Sequence, residues 1–91
     1  MSKHGWFVYI LLCKDKTFYT GITTDLKRRF YEHQNGVYNN YTKSRRPIKL
    51  VYYEKAEDKY KAAKREKELK DYRQEKKLLL IRNFLSNTSW F

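Results

Sequence analysis

Residues 7–33 read FVYILLCKDKTFYTGITTDLKRRFYEH, and this stretch decides the fold. The run from 6 to 13 is continuously apolar and rich in β-forming residues, which is typical of a central strand covered on both faces. Residues 14–16 form a turn, and residues 17–21 predict a return strand. The opening stretch therefore predicts an antiparallel hairpin.

The length of the hairpin loop determines which side chains share a face of the sheet. A three-residue loop pairs Leu11 with Tyr19. It also pairs Tyr9 with Gly21, so that the two tyrosines become diagonal neighbours on one face. A two-residue loop would separate the tyrosines onto opposite faces, and we predict the three-residue loop.

A helix is predicted after the hairpin, capped by Thr24 or Asp25 and running to about Gln34. Asn35-Gly36 then ends it. The stripe of this helix that faces the core consists of Leu26, Arg29, Phe30 and His33. Two of its members, Arg29 and His33, are cationic or titratable. A charge that faces a core needs a partner, so Arg29 either finds one or lies at the stripe edge with its guanidinium in water.

The rest of the chain predicts a loop, a third strand and two more helices. Residues 37–47 are expected to form a polar, aromatic loop, and residues 48–53 alternate as a strand does. Asp58 caps a helix that ends at about 69 or 70. Residues 75–85 predict a last helix, followed by a polar tail over 86–91 that ends in Trp90-Phe91.

Glu66 is the unusual residue of the helix after Asp58. The predicted inner stripe of this helix consists of Ala62, Ala63, Glu66 and Leu69, while Lys64, Arg65 and Lys67 point elsewhere. A carboxylate thus occupies a position where the pattern calls for a hydrophobic residue. Because a buried carboxylate must be paired or coordinate an ion, Glu66 is predicted either to form a salt bridge or to hold a metal.

Size and composition indicate one small domain that spans residues 1–91, with its core at about 6–82. The hydrophobic share of 41% suffices for a packed core but not for a large cavity, so an active site would be an open cleft. No apolar run approaches the roughly 20 residues that span a bilayer, and no leader opens the chain. The single cysteine, Cys13, excludes an intrachain disulfide, and a cytoplasmic location is expected.

The net charge of +11, from 21 basic and 10 acidic residues, predicts a polyanionic partner, most often nucleic acid. A solvated, lysine-rich surface is the alternative interpretation. Tyrosines and cations alternate in the loop over 37–47, which suits phosphate contacts and stacking on unpaired bases, although an ordinary basic loop has the same composition. The candidate residues for nucleic-acid contact are Lys27, Arg28, Tyr41, Lys43, Arg45 and Arg46.

The candidate catalytic residues fit the hydrolysis of a phosphodiester. Arg29 offers bidentate donors to a phosphate, and Glu66 can hold one divalent ion together with water and phosphate oxygens. Tyr9 or Tyr19 could take a proton from water, and His33 is a natural relay. No acyl-transfer triad, Gly-rich phosphate loop or HExxH motif is present in the sequence.

The same positions resemble the GIY-YIG nuclease superfamily, in particular its short, single-domain members. Residues 7–10, FVYI, resemble its first signature with Val8-Tyr9 for Ile-Tyr, and Tyr19-Thr20-Gly21 resembles YIG. The run over 19–29 is similar to the family's run from the second tyrosine to the arginine, which falls on Arg29. The likeness covers about residues 6–82, and its remaining matches are His33, residues 41–42 and 45–52, and Glu66 within 65–70.

The resemblance implies an α+β fold with a small three-stranded antiparallel sheet flanked by helices. It also implies metal-dependent cleavage of DNA with Mg²⁺ or Mn²⁺, as in homing endonucleases and in the incision nuclease of DNA excision repair. Tyr9, Tyr19, Arg29, His33 and Glu66 would be catalytic and Glu66 the metal ligand. Ile22 stands where repair-type members have a lysine, and Asn83 is a loose candidate for their C-terminal asparagine.

Three functions compete at this stage. The first is a structure- or damage-directed DNA endonuclease of low sequence specificity, with RNA as a further candidate substrate and a protein partner for targeting. The second is a catalytically weak or inactive nucleic-acid-binding module of the same fold. The third is a basic adaptor that binds a protein through Trp90-Phe91.

Overall fold

A computed structural model describes residues 5–87, and its centre is a three-stranded antiparallel sheet. The strands are β1 (Trp6–Leu12), β2 (Phe18–Thr23) and β3 (Lys49–Ala56), with β1 between the other two. The helices are α1 (Leu26–Gln34), the four-residue α2 (Asn40–Lys43), α3 (Lys59–Lys70) and α4 (Gln74–Asn87). The predicted α+β class and the three-stranded sheet are confirmed.

The β1–β2 hairpin has the predicted register. Leu11 lies opposite Tyr19 and Tyr9 opposite Gly21. The backbone N–H of Cys13 donates to the carbonyl of Thr17 at 2.9 Å, which closes a loop of three residues. The two tyrosines therefore lie on the same face of the sheet.

Alternation along β1 gives the sheet two cores, one on each face. Val8 and Ile10 are fully buried against residues of α3 and α4, among them Leu69 and Ile81. On the other face Tyr9 and Leu11 form a second cluster, against which α1 packs through Leu26 and Phe30. Full burial of each large apolar side chain contributes roughly 1.5–3 kcal/mol, so β1 fixes both helical layers to the sheet.

Polar caps determine where the helices begin. Asp25 accepts a hydrogen bond from the backbone N–H of Arg28 at 3.0 Å, and Asp58 accepts one from Lys61 at 2.8 Å. Gly36 follows α1 with a φ of +70°, a left-handed conformation that favours glycine. The predicted caps of α1 and α3 are thus confirmed.

Several predicted boundaries were wrong. The segment 37–47 is not only a loop, because Asn39 caps α2 within it. The third strand extends beyond Tyr53 to Ala56, since its last residues pair with the start of β1 despite their weak preference for strands. The last helix continues through 86–87. Trp90-Phe91 and the end of the predicted tail lie outside the described residues.

Two predicted orientations on α3 were also wrong. Ala63 is exposed and does not belong to the inner stripe, whereas Ala62 and Leu69 are buried as expected. Arg65 does not point away from the sheet, because its Nε donates to Glu54 on β3 at 2.8 Å.

None of the helices over residues 5–87 combines the length and the apolar character that a bilayer-spanning segment needs.

Candidate functional site

Tyr9 and Tyr19 form the floor of the candidate site. Tyr9 comes from β1 and is 2% exposed, while Tyr19 comes from β2 and is partly buried. Their ring centroids are 6.4 Å apart. Gly21 makes this packing possible, because a Cβ added there would lie 2.6 Å from the hydroxyl oxygen of Tyr9 and 3.2 Å from Cε2 of Tyr19.

His33 is fully buried and connects the floor to α2. Its Nε2 lies 2.9 Å from the hydroxyl of Tyr9, and its Nδ1 lies 2.7 Å from Oγ1 of Thr42. The ring also makes edge contacts with the rings of Tyr19 and Tyr38, with centroids 5.1 and 4.8 Å away. Sequence periodicity placed His33 on the inner face of α1, and its position agrees with that.

The direction of the hydrogen bonds around His33 follows from its partners. Thr42 Oγ1 has a single proton, which it donates to the carbonyl oxygen Oδ1 of Asn39 at 3.0 Å. Thr42 must therefore accept from His33, which puts the imidazole proton on Nδ1. Nε2 then has a lone pair, and the hydroxyl of Tyr9 donates to it.

Asn39 orients the second tyrosine. Its Oδ1 accepts from the backbone N–H of Thr42 at 3.0 Å, which fixes the amide. Its Nδ2 donates to the hydroxyl oxygen of Tyr19 at 2.9 Å. Tyr19 accepts this hydrogen bond, so its own proton is available to a ligand, whereas the proton of Tyr9 is committed to His33.

Burial controls the ionisation of these groups. It raises the pKa of the Tyr9 phenol, and the positive charge of Arg29 opposes this rise without cancelling it. Burial also raises the pKa of Tyr19, with the negative charge of Glu66 adding to the effect. Burial, with a smaller contribution from the positive charge of Arg29, lowers the pKa of His33 to about 4. All three groups are thus neutral at pH 7.

We expect the stability of the protein to fall as the pH drops from 6.5 towards 4. The folded chain keeps His33 neutral, because its pKa is lowered from 6.5 to about 4, while the unfolded chain binds a proton there. This lowers the free energy of unfolding by at most about 1.4 kcal/mol per pH unit. Urea unfolding of the wild-type chain and of His33→Gln at several pH values checks it. Equal slopes in both proteins over this range would contradict the assignment.

Arg29 lies beside the tyrosines and is not at a solvated edge of α1. Its side chain is 16% exposed, and its Nε donates to Glu32 at 3.0 Å. Its guanidinium carbon is 4.0 Å from the centre of the Tyr38 ring. Nη1 donates to the backbone carbonyl of Ile22 at 3.4 Å. Two alternatives were predicted for Arg29, an inward-facing cation with a partner or a side chain at the stripe edge with its guanidinium in water. The geometry agrees with the first.

Glu66 approaches the cluster from the other layer of the molecule. It belongs to α3, which packs on the face of the sheet opposite to α1. Its side chain is 24% exposed and forms an ion pair with Lys70, with Nζ 3.2 Å from Oε2. The negative charge of Glu66 raises the pKa of Tyr19, so the carboxylate lies within electrostatic reach of that phenol.

The basic candidates fall into two groups. Lys27 and Arg28 are exposed on α1, where Arg28 pairs with Glu32 at 3.6 Å. Both cations remain accessible to a polyanion.

The basic residues of the loop after α1 are largely used within the fold. Arg45 donates to Asp15 in the hairpin loop at 2.9 Å, and its guanidinium lies 3.9 Å from the centre of the Tyr41 ring. Arg46 donates to the carbonyl oxygens of Lys43 and Gln34 at 2.9 and 3.4 Å. Arg45 and Arg46 thus have hydrogen-bond partners within the fold, while the side chains of Lys43 and Arg46 are exposed.

Sequence reasoning missed Tyr38, Asn39 and Thr42 as parts of the cluster. The only signal was the Asn-x-x-Thr spacing, which is a helix-start pattern in which the asparagine caps the residue three positions on. Nothing local indicated that this cap would also contact His33 and Tyr19. Asn83, the loose candidate for the family's C-terminal asparagine, is exposed on α4.

The sequence and the structure both match known proteins. The profile described as "GIY-YIG catalytic domain" matches residues 5–78. A UPF0213 protein of Staphylococcus aureus is 49% identical over 82 residues, which are 90% of this chain and 98% of that protein. A UPF0213 protein of Desulfotalea psychrophila is 46% identical over 82 residues, covering 89% of this chain and 74% of that protein.

Two solved structures share the fold. The solution NMR structure of a UPF0213 protein from Bacillus halodurans is 40% identical, with a TM-score of 0.55, and the match covers 86% of this chain and 83% of that one. The solution NMR structure of a protein from E. faecalis is 31% identical with a TM-score of 0.58, over 96% of this chain and 93% of that one.

Proposed function

This chain belongs to the GIY-YIG catalytic domain family, a nuclease family, and on that premise we propose that it is a metal-dependent DNA endonuclease. It would hydrolyse phosphodiester bonds in a structure- or damage-directed manner with low sequence specificity. The observation that carries the proposal is the contact of Tyr9, Tyr19, Arg29 and His33 in one cluster, although they come from three separate elements.

Arg29 is the proposed phosphate-binding group. It is held by Glu32 and by the carbonyl of Ile22, so little side-chain freedom remains to be lost when a phosphate binds. A guanidinium stays charged at any relevant pH and offers paired donors to phosphate oxygens. This suits it to stabilise the negative charge that develops on the phosphorus centre.

Tyr9 and His33 provide a path for the proton of the attacking water. A neutral phenol can accept a proton only as it gives up its own, and the hydroxyl of Tyr9 already donates to Nε2 of His33. Proton transfer from water to Tyr9 and from Tyr9 to His33 therefore needs no phenolate at the start. The raised pKa of Tyr9 disfavours a preformed phenolate base. Because the pKa of His33 is lowered to about 4, the imidazole would hold the proton only transiently during the reaction.

Tyr19 has a complementary role in this proposal. Because its oxygen accepts from Asn39, its own O–H can donate to a phosphate oxygen of the substrate. Tyr9 would thus handle the proton of the water, and Tyr19 would bind the substrate.

Glu66 fits a metal ion of the magnesium type. Residues 5–87 contain no group of three carboxylate, histidine or cysteine side chains that could hold an ion alone. Magnesium, however, is commonly held by one or two carboxylates, with waters and substrate phosphates completing its shell. An ion on Glu66 would supply Lewis acidity at the phosphate and its leaving oxygen. Mn²⁺ would serve in the same position.

The proposal is tested with nicked-product assays on supercoiled, duplex, forked and RNA substrates, with Mg²⁺, Mn²⁺ or chelator. We expect metal-dependent nicking of DNA, and a Tyr9→Phe rate roughly 10²–10⁴-fold lower because the proton path is lost. Tyr60→Phe, at an exposed tyrosine of α3, is the matched control and should cleave at the wild-type rate. Salt-sensitive binding without any metal-dependent cleavage would instead indicate the non-catalytic binding module.

A further inference from the structure

We propose that Tyr38 stacks on an unpaired base next to the cleaved phosphodiester, so that the site takes nucleic acid with an unpaired nucleotide at the point of cleavage. The position of the cleaved phosphodiester beside Tyr38 rests on the proposed function. The stacking of a base on Tyr38 is tested by binding, so its test is independent of whether the protein cleaves DNA.

Tyr38 lies directly beside the proposed phosphate-binding group. The guanidinium carbon of Arg29 is 4.0 Å from the centre of its ring, and the ring of His33 is 4.8 Å away at an interplanar angle of 68°. A phosphate bound by Arg29 therefore brings its neighbouring nucleotide next to this ring.

Tyr38 differs from the rest of the cluster in its exposure. It is 41% exposed, whereas Tyr9 is 2% exposed and His33 is fully buried. Among residues 5–87 no side chain or backbone group forms a hydrogen bond with its hydroxyl. The ring thus forms the outer wall of a buried polar cluster, where an incoming ligand meets it first.

Tyr41, the other tyrosine of this segment, is a poor candidate for the same role. Its hydroxyl donates to Thr17 at 2.9 Å, which ties it to the hairpin. Its ring lies between the guanidinium of Arg45 at 3.9 Å and the ring of Tyr19 at 5.7 Å. The difference between the two tyrosines is the hydroxyl, because that of Tyr41 is bonded to the hairpin and that of Tyr38 has no hydrogen-bond partner among residues 5–87. The Tyr38 ring is thus held less firmly and can adjust to a base, so base stacking by this segment is assigned to Tyr38.

The chemistry of stacking selects the substrate class. Every base has a π-face and stacks on an exposed aromatic ring with little regard to sequence. A base inside a duplex is already stacked on its neighbours and cannot reach a protein ring unless it leaves the helix. A fork, flap, bulge or single strand supplies such a base, whereas a fully paired duplex does not.

The test compares the binding of two DNA probes, a fork with single-stranded arms and a fully paired duplex of the same length. All proteins carry Glu66→Gln, so that binding is measured without turnover. We expect Tyr38→Ala to weaken fork binding by about tenfold and duplex binding by less than about twofold. Tyr38→Phe keeps the ring and should bind the fork as the parent does.

Tyr31→Ala is the matched control, since Tyr31 is an exposed tyrosine on α1 and should leave both affinities unchanged. The same fork carrying 2-aminopurine in place of its first unpaired base reports stacking directly, because its fluorescence should be quenched by the parent and not by Tyr38→Ala.

Two results would overturn the inference. One is equal loss of fork and duplex affinity in Tyr38→Ala, which would mean that Tyr38 only positions Arg29. The other is wild-type fork binding by Tyr38→Ala. If the wild-type chain cleaves nothing but fork binding depends on Tyr38, the proposed function fails and the stacking site stands. If the wild-type chain cleaves DNA and Tyr38→Ala binds the fork normally, the proposed function stands and the stacking site fails.

Discussion

A Glu66→Gln variant is expected to nick DNA about 10³-fold more slowly than the wild-type chain and to bind it with unchanged affinity. Glutamine keeps the size of the side chain but lacks the negative charge that a divalent ion requires. Removal of an anion does not weaken attraction to phosphates, so the loss should be confined to the chemical step. Single-turnover rates at saturating enzyme and fixed Mg²⁺, with fluorescence anisotropy for affinity, measure both quantities.

Lys70→Gln is the control for the salt bridge of Glu66. It removes the partner at 3.2 Å and leaves the carboxylate. Lys70 is exposed and Glu66 is partly buried, and ion pairs near the surface contribute only about 0.2–1 kcal/mol, so Lys70→Gln should cleave at close to the wild-type rate. If both variants lost activity equally, the ion pair and not a metal would explain Glu66. A wild-type rate in Glu66→Gln would remove this residue from the proposed mechanism.

Gly21→Ala is expected to destabilise the protein by roughly 1–3 kcal/mol and to reduce cleavage by at least about 10²-fold. The new Cβ would lie 2.6 Å from the hydroxyl oxygen and 2.8 Å from Cζ of Tyr9. Tyr9 cannot move away cheaply, because it is buried and bonded to His33. Either the strands separate or the Tyr9 phenol is displaced to relieve the overlap, and either change would break the proposed proton path through Tyr9 and His33.

Gly5→Ala is the matched control for this prediction. Its Cβ would also meet an atom at 2.9 Å, but that atom is Cε of Lys55, near the end of a flexible, exposed side chain. The cost should stay within about 0.5 kcal/mol, with normal cleavage. Urea unfolding and single-turnover rates distinguish the two variants. Equal effects of Gly5→Ala and Gly21→Ala would show that glycine flexibility, and not the contact with Tyr9, matters.

Much of the fold could be predicted from local patterns in the sequence. The apolar run of β1, the three-residue turn and the caps at Asp25 and Asp58 each act over a few residues, and the structure has all of them. The side-chain period of two in a strand then puts Tyr9 and Tyr19 on one face. The helical period likewise directs His33 inward.

The part of the site that the sequence did not predict depends on contacts distant in sequence. Asn39 and Thr42 look like a helix cap, and only tertiary packing brings that cap to His33 and Tyr19. The hydrogen-bonding partner of Arg65 was missed for a similar reason, since Glu54 lies eleven residues before it on another element. Charge and composition indicate a nucleic-acid partner, but they do not distinguish an accessible cation from one that is bonded within the fold.

The hairpin loop is joined to the segment after α1 at several points. The backbone N–H of Lys14 donates to the carbonyl of Arg45, the Asp15 carboxylate accepts from the Arg45 guanidinium, and Thr17 accepts from Tyr41. The ring of Tyr41 in turn rests against Tyr19. For protein engineering the hairpin loop is consequently a poor place to insert a tag, a reporter or new chain termini, because any distortion there is transmitted through Tyr41 to the phenol of Tyr19.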